Sequence, residues 1–274
     1  MHSYTFHAQH EGRKSMSVAE LEELKTPSLR LDGLVAVVSG AGRGLGRGAA
    51  LSLAEAGAEV MLVSRTEEDL NNVAAEIKAT GGKATPIVCD VTDVAQVKER
   101  IESLERIDIL MNNAGSNRPE PFVDVSEENL DFLLDLNIKS MFTVAQAAAR
   151  RMLAGGRGGS MIHMSSQMGH VGSPNRTVYC TTKHAIEGMS KAIAAELAPH
   201  NIRSNCIGPT FIETPMTAPM FENPEFKQFV MDRILMGRLG KISDVTGSIV
   251  FLASPASELI TGASLTIDGG WTSV

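Results

Sequence analysis

Tyr179 and Lys183, in the run Tyr179-Cys180-Thr181-Thr182-Lys183, are the residues whose types and spacing most directly imply chemistry. Side chains four apart lie on one face of a helix, a turn from each other. An ammonium beside a phenol favours the phenolate. Tyrosine ordinarily titrates near pH ~10, so each pH unit of lowering needs roughly 1.4 kcal/mol of preferential stabilisation. A phenol tuned in this way passes a proton to or from an alcohol or carbonyl oxygen. Ser166, upstream, would donate a hydrogen bond to that oxygen and hold it beside Tyr179. The only other tyrosine, Tyr4, lies in a polar N-terminal stretch, so the assignment falls on Tyr179. Tyr-x-x-x-Lys alone also describes an exposed amphipathic helix, and two further segments shift the balance.

The first is Ser39-Gly40-Ala41-Gly42-Arg43-Gly44-Leu45-Gly46. It follows the apolar run Leu34 to Val38, read as a buried parallel strand, and precedes a helix-forming run that stops at Gly57. Strand, glycine turn and helix together place a dinucleotide pyrophosphate on a helix N-terminus. The spacing is Gly-x-x-x-Gly-x-Gly over Gly40, Gly44 and Gly46, not the more usual Gly-x-Gly-x-x-Gly; a tight strand–helix turn is the bland alternative. The second segment is Asn112-Asn113-Ala114-Gly115, directly after the strand-like Ile107 to Met111.

Taken in order, Ser39-Gly-x-x-x-Gly44-x-Gly46, Asn112-Asn-Ala-Gly115, Asn137, Ser166 and Tyr179-x-x-x-Lys183 resemble the short-chain dehydrogenase/reductase family. The similarity runs from about Leu31 to Gly270. The resemblance implies a single-domain α/β fold of Rossmann type, with a doubly wound parallel sheet and helices on both faces. It also implies an enzyme that moves a hydride between a nicotinamide cofactor and a ketone or secondary alcohol. Tyr179 would be the acid in reduction and the base in oxidation, Lys183 would bind the nicotinamide ribose and lower the tyrosine pKa, and Asn137 would keep a water in the proton relay. Asp90 resembles the adenine-contacting acid, with Val91 packing on the ring. Asn113, Ala114 and Gly115 would line the cofactor floor. Pro209, Ile212 and Thr214 resemble the segment that holds the nicotinamide amide, although Thr210 stands where the family more often has glycine.

The ribose-reading position, about 20 residues beyond the glycine loop, is Ser64, followed by Arg65. No acid appears before Glu67. A guanidinium offers a planar fork suited to phosphate, and Arg43 is placed to reach the same group. NADP is therefore favoured over NAD. The substrate is left open between 3-oxoacyl thioesters, sugars or polyols, and other ketones. Gln167, His170 and Asn117, with Met168 and Arg118, are expected around the reacting carbon, and Asn175-Arg176 would meet a hydroxyl-rich or anionic substrate or form a solvent-facing turn. Two rivals remain: an epimerase or dehydratase using bound nucleotide internally, and a non-catalytic binding protein on the same fold.

With 274 residues, 43% hydrophobic, the chain is long enough for one large α/β domain, and the strand–helix alternation shows no composition break. A formal charge of −7 without a basic block gives no support for nucleic-acid binding. No stretch approaches the roughly 20 apolar residues of a membrane span. Residues 1–30 are expected to be a flexible extension, with residues 31–274 the enzyme domain. His2, His7 and His10 have no cysteine or acidic cluster to complete a metal site, so no metal is expected. An N-terminus without an apolar signal core, and three scattered cysteines (Cys89, Cys180 and Cys206), point to the cytoplasm.

Helices are expected over Gly44 to Ala56, Glu67 to Ala79 with Thr66 as cap, Asp93 to Leu104, Ser126 to Leu153, Thr177 to Leu197 and Ser243 to Ala253. Strands are expected at Leu34 to Val38, Glu59 to Ser64, Ala84 to Cys89, Ile107 to Met111, Ser160 to Met164, Asn201 to Ile207 and Ala263 to Ile267. An irregular insertion over about 210–240, carrying Met216, Met220, Phe221, Phe226 and Phe229, reads as a substrate lid. Small residues on two helices (Ala145, Ala147, Ala148, Ala149, Ala192, Ala194, Ala195), together with the family pattern, imply a homotetramer with two isologous interfaces. Trp271 would be partly covered by the second.

Overall fold

The structure is a computed structural model, and it describes residues 25–274. The expectation of a flexible extension falls, up to residue 24, outside the described residues, as do the three N-terminal histidines. From Leu31 the chain is packed: Leu31 is fully buried and its N–H donates to Ala56 O.

Seven parallel strands form one sheet in the order β3-β2-β1-β4-β5-β6-β7. They are β1 (Val35–Ser39), β2 (Glu59–Ser64), β3 (Lys83–Val88), β4 (Ile109–Asn112), β5 (Gly159–Met164), β6 (Ile202–Pro209) and β7 (Ser264–Ile267). Both faces of the sheet are buried, so the central strands are almost wholly apolar, and alternate residues feed two separate cores. Ala36, Val38, Ile109, Met111 and Ile162 pack on one face under α1 (Gly44–Glu55), α2 (Glu67–Ala79) and α8 (Ile242–Ala253). Val37, Leu110 and Met161 pack on the other, with Ile101, Val144 and Ala148. That second layer comprises α3 (Val94–Val97, continuing as a π-turn Lys98–Glu102), α5 (Ser140–Gly155) and α6 (Thr177–Leu197).

The helix expected over Asp93 to Leu104 is shortened to α3 and its π-turn, and two further elements differ in detail. The helix expected from Ser126 to Leu153 is α4 (Glu127–Leu134) and α5, joined by a π-helical turn over Asp135–Lys139. A π-turn accommodates one extra residue without breaking the helix axis. Thr66 precedes α2 but makes no capping bond; its own N–H donates to Ser64 Oγ at 3.4 Å instead. Ala145, Ala147, Ala148 and Ala194 are buried within the subunit, whereas Ala192 and Ala195 face outward.

After β6 the chain leaves the sheet through a 3-10 turn, Ala218–Glu222, and α7 (Pro224–Met231), capped by the Asn223 side chain. The two ends of this excursion are tied together by a parallel bridge between Ile212 and Gly240, with Glu213 N–H donating to Gly240 O and Gly240 N–H to Phe211 O. Its apolar underside joins Phe211, Phe221, Phe226 and Phe229 with Trp271 beyond β7.

Candidate active site

In a parallel sheet, ligand crevices open at the carboxyl ends of strands where the strand order reverses. Here that point lies between β1 and β4, and a cleft of about 380 Å³ lined by the glycine loop opens there. Gly40 and Gly44 have φ of +67° and +56°, a region that glycine enters without strain. A Cβ on Gly46 would lie 2.0 Å from the Gly40 carbonyl oxygen, so only glycine lets α1 start this close to the turn.

The loop is pinned from β4. Ser39 Oγ accepts from the backbone N–H of Asn113 at 2.9 Å and of Ala114 at 3.1 Å. The Asn113 amide in turn donates to Ser39 O at 3.0 Å. Arg43, Leu45, Ser64, Arg65, Asp90, Val91, Ala114 and Gly115 all border the cleft, as do Pro209, Ile212 and Thr214. Arg65 extends from the end of β2 to within 3.9 Å of Asp90. Asp69, one turn into α2, also borders this end beside Gly42 and Ser64, a helical turn beyond the strand-end position at which spacing places a ribose-reading acid.

At the other end of the cleft stand Ser166, Tyr179 and Lys183. Ser166 Oγ donates to Gln167 Oε1 at 3.0 Å and accepts from Met168 N–H at 3.2 Å. Lys183 is 4% exposed; its Nζ donates to Met164 O at 2.7 Å and lies 5.4 Å from the Tyr179 ring centroid. Burial lowers the lysine to about 8. Burial also pushes the Tyr179 phenol up to about 12, against the smaller opposing effects of the Ser166 hydroxyl and the Arg176 charge. The expected depression of the tyrosine by Lys183 is therefore not what the protein alone displays: desolvation of the phenolate outweighs its neighbours.

Asn137 sits in the π-turn, fully buried. Its amide accepts from Ser116 N–H at 2.9 Å, donates to Ser116 O at 2.8 Å and donates to Thr182 Oγ1 at 3.2 Å. It thus joins the strand-end loop after β4 to α6 without itself bordering the cleft. Two buried hydroxyls that do border it, Ser165 and Thr210, have no hydrogen-bond partner in the protein.

Of the residues expected around the substrate, Gln167, His170 and Asn117 do not line the glycine-loop cleft. His170 has its Nε2 3.0 Å from Ser264 Oγ and 3.4 Å from Glu187 Oε1. Gln167 lies buried behind Ser166. Asn117 and Arg118 border a separate open cleft with Glu120 and Asn129, where the Arg118 guanidinium stacks 3.6 Å from the Phe132 ring centroid. Met216 and Thr217 border the glycine-loop cleft instead; Thr217 Oγ1 donates to Ile212 O at 2.6 Å and accepts from Thr214 N–H at 3.0 Å. Among the described residues no group of acidic, histidine or cysteine side chains is arranged to hold a metal, the three cysteines are free and buried, and no helix is long and apolar enough to cross a membrane.

A seven-stranded, doubly wound sheet with a glycine-lined crevice at its switch point defines the class of molecule, and comparison with known proteins gives the family. The family profile described as enoyl-(acyl carrier protein) reductase matches residues 40–272. L-xylulose reductase of Mus musculus is 36% identical over 243 residues, which span 89% of this chain and 98% of that protein. The 3-oxoacyl-(acyl-carrier-protein) reductase of Thermotoga maritima is 39% identical over 246 residues, 88% of this chain and 99% of that one. A gluconate 5-dehydrogenase from Burkholderia cenocepacia J2315, solved in complex with NADP and tartrate, superposes with a TM-score of 0.87 at 35% identity, covering 90% of this chain and 98% of that one. The chain belongs to the short-chain dehydrogenase/reductase family and is an oxidoreductase.

Proposed function

We propose that this protein transfers a hydride between NADP(H) and a ketone or secondary alcohol, with Tyr179 as the proton donor and acceptor. The observation that carries the reading is the convergence of Ser166, Tyr179 and Lys183 at one end of the same cleft whose other end is the glycine loop with Arg43 and Arg65. The residues present fit a dinucleotide: Gly40, Arg43, Gly44 and Gly46 line the cleft at the start of α1, where a helix N-terminus suits a pyrophosphate, and the Ser165 and Thr210 hydroxyls border it without protein partners. Two guanidiniums at the ribose end suit a 2′-phosphate, and the Burkholderia relative was solved with NADP.

When bound, the nicotinamide supplies or takes the hydride. Ser166 turns its hydroxyl from Gln167 to the substrate oxygen and orients it. Tyr179, protonated at neutral pH, gives its proton to the carbonyl oxygen in reduction and takes one back from the alcohol in oxidation. Lys183, near 8, remains mostly charged at neutral pH and places a cation beside the phenol as the proton leaves. Asn137 braces the loop at Ser116 against α6 and so keeps the distance between β4 and the tyrosine fixed. The cytoplasm, where thiols stay reduced, suits three buried free cysteines.

Tyr179→Phe tests the reading. Turnover should fall by at least ~10²-fold, the usual worth of a general acid, while the dissociation constant for NADP stays within about twofold because the ring still packs. NADP should bind the wild type at least about tenfold more tightly than NAD, through charge-assisted bonds from Arg43 and Arg65. A Phe variant within a few-fold of wild type, or equal binding of the two cofactors, would refute the corresponding half. Stoichiometric release of reduced cofactor separates this reaction from one that recycles the nucleotide internally.

A further inference from the structure

Arg176 is a buried cation with no counter-ion among the described residues. It stands three residues before Tyr179, immediately ahead of α6, and is 7% exposed. Among the described residues no carboxylate pairs with it: Nη2 reaches the Met220 sulfur at 3.8 Å, and Nε has no partner. The guanidinium lies 5.9 Å from the Phe226 ring centroid, at the outer limit of a cation–π contact. Burial pulls its pKa down, and the groups acting on it in the other direction are the Tyr179 phenol and the Cys180 thiol. Arg203, the other guanidinium depressed by burial, is differently served, donating to the carbonyls of Leu252 and Ile260.

An unpaired buried charge is strongly unfavourable unless something supplies its hydrogen bonds. Met220 and Phe226 belong to the excursion after β6, and Tyr179, one turn along α6, borders the cleft, so the guanidinium stands between that excursion and the tyrosine, just behind the residues that line the cleft. A guanidinium presents paired donors that match a carboxylate. A single cation suits a singly charged group better than a phosphate dianion, which would need a second.

We propose that Arg176 is a specificity-determining residue that holds the carboxylate of the substrate, and that the substrate is therefore a hydroxy acid or its keto acid with the reacting carbon a few bonds from the carboxylate. This rests on the oxidoreductase reading and names its substrate class. Arg176 supplies the charge, Tyr179 and Ser166 take the oxygen that reacts, and the lid residues Met220 and Phe226 close over the neutralised pair.

The test is binding to the NADP-loaded protein of C4–C6 polyhydroxy acids, tartrate and gluconate among them, each against the alditol of the same chain. In the wild type at least one acid should bind about tenfold or more tightly than its alditol, the usual range for a charge-assisted pair. In Arg176→Met the acid should fall to the level of its alditol, and Arg176→Lys should keep part of the margin. No acid–alditol margin in the wild type overturns the proposal, as does a margin that survives in both variants or one confined to phosphate esters. The wild-type comparison decides even if the Met variant does not fold. Tyr179→Phe should retain the margin while losing turnover, so failure of the chemistry and failure of the anion site give different results.

Discussion

Lys183 works against the stability of the fold it serves. Burial lowers its pKa to about 8 from 10.5, with Cys206 and then Glu187 only partly opposing the shift. Between those two values the unfolded chain keeps a proton that the folded chain has lost, so stability rises with pH across that window. Below about pH 8 the folded protein carries the full penalty, ~3 kcal/mol as an order of magnitude. Lys183→Met, similar in length and uncharged, should therefore melt several degrees higher than wild type at pH 7 in the absence of cofactor. The lost bond to Met164 O offsets part of the gain. The advantage should shrink by pH 9.5, and calorimetry at both values checks it; an equal difference at the two pH values would remove burial of the charge as its source. The residues themselves were legible: Ser166, Tyr179 and Lys183 do meet in one cleft, as motif order implied. What was not legible was the sign of the tyrosine shift. It depends on how much water the folded chain excludes from the phenol, and four-residue spacing carries no measure of that. Nor does proximity in sequence say which way a side chain turns. His170 follows Ser166 closely, yet it faces Ser264 and Glu187.

At the scale of elements, the break between α4 and α5 shows how local geometry was hidden by a correct helix assignment. One extra residue in a turn leaves the apolar periodicity on either side intact, so the run from Ser126 to Leu153 reads as continuous. The π-turn is where Asn137 can point inward while Leu133 and Met141 remain in the core. Its side chain carries three hydrogen bonds that tie the loop after β4 to α6. Asn137→Ala leaves the N–H and carbonyl of Ser116 without those partners, and should cost about 2–4 kcal/mol of unfolding free energy. Urea titration measures it, and a loss under about 0.5 kcal/mol, below the worth of one net hydrogen bond, would show that the amide is not the brace. The glycine loop was legible in full, because the demands of positive φ and close backbone approach are met by one residue type alone.

For the whole molecule, the alternation of strands and helices was enough to give a parallel doubly wound sheet, and the observed order has its crevice at the expected reversal. Quaternary structure is a different matter, since alanine-rich stripes serve inner and outer faces alike. Four of the seven marked alanines are used inside the subunit. The outer surface still presents Phe142 and Leu153 on α5 and Leu265 on β7, the exposed edge of the sheet. Exposed apolar residues and an uncovered edge strand are what a second copy would cover. Light scattering at micromolar concentration should give four chains per particle, with a dimer sparing one of the two interfaces and a stable monomer removing both. Beyond β7 lies Trp271, with Phe211 and Phe229 at 5.7 and 6.3 Å between ring centroids. Phe229 rides on α7 and Phe211 stands at the tied base, so the indole touches both the excursion and its anchor. The chain has a single tryptophan. The one chromophore of its kind thus sits against both the excursion and its base, and its emission should report any change in how α7 packs there, with no label added.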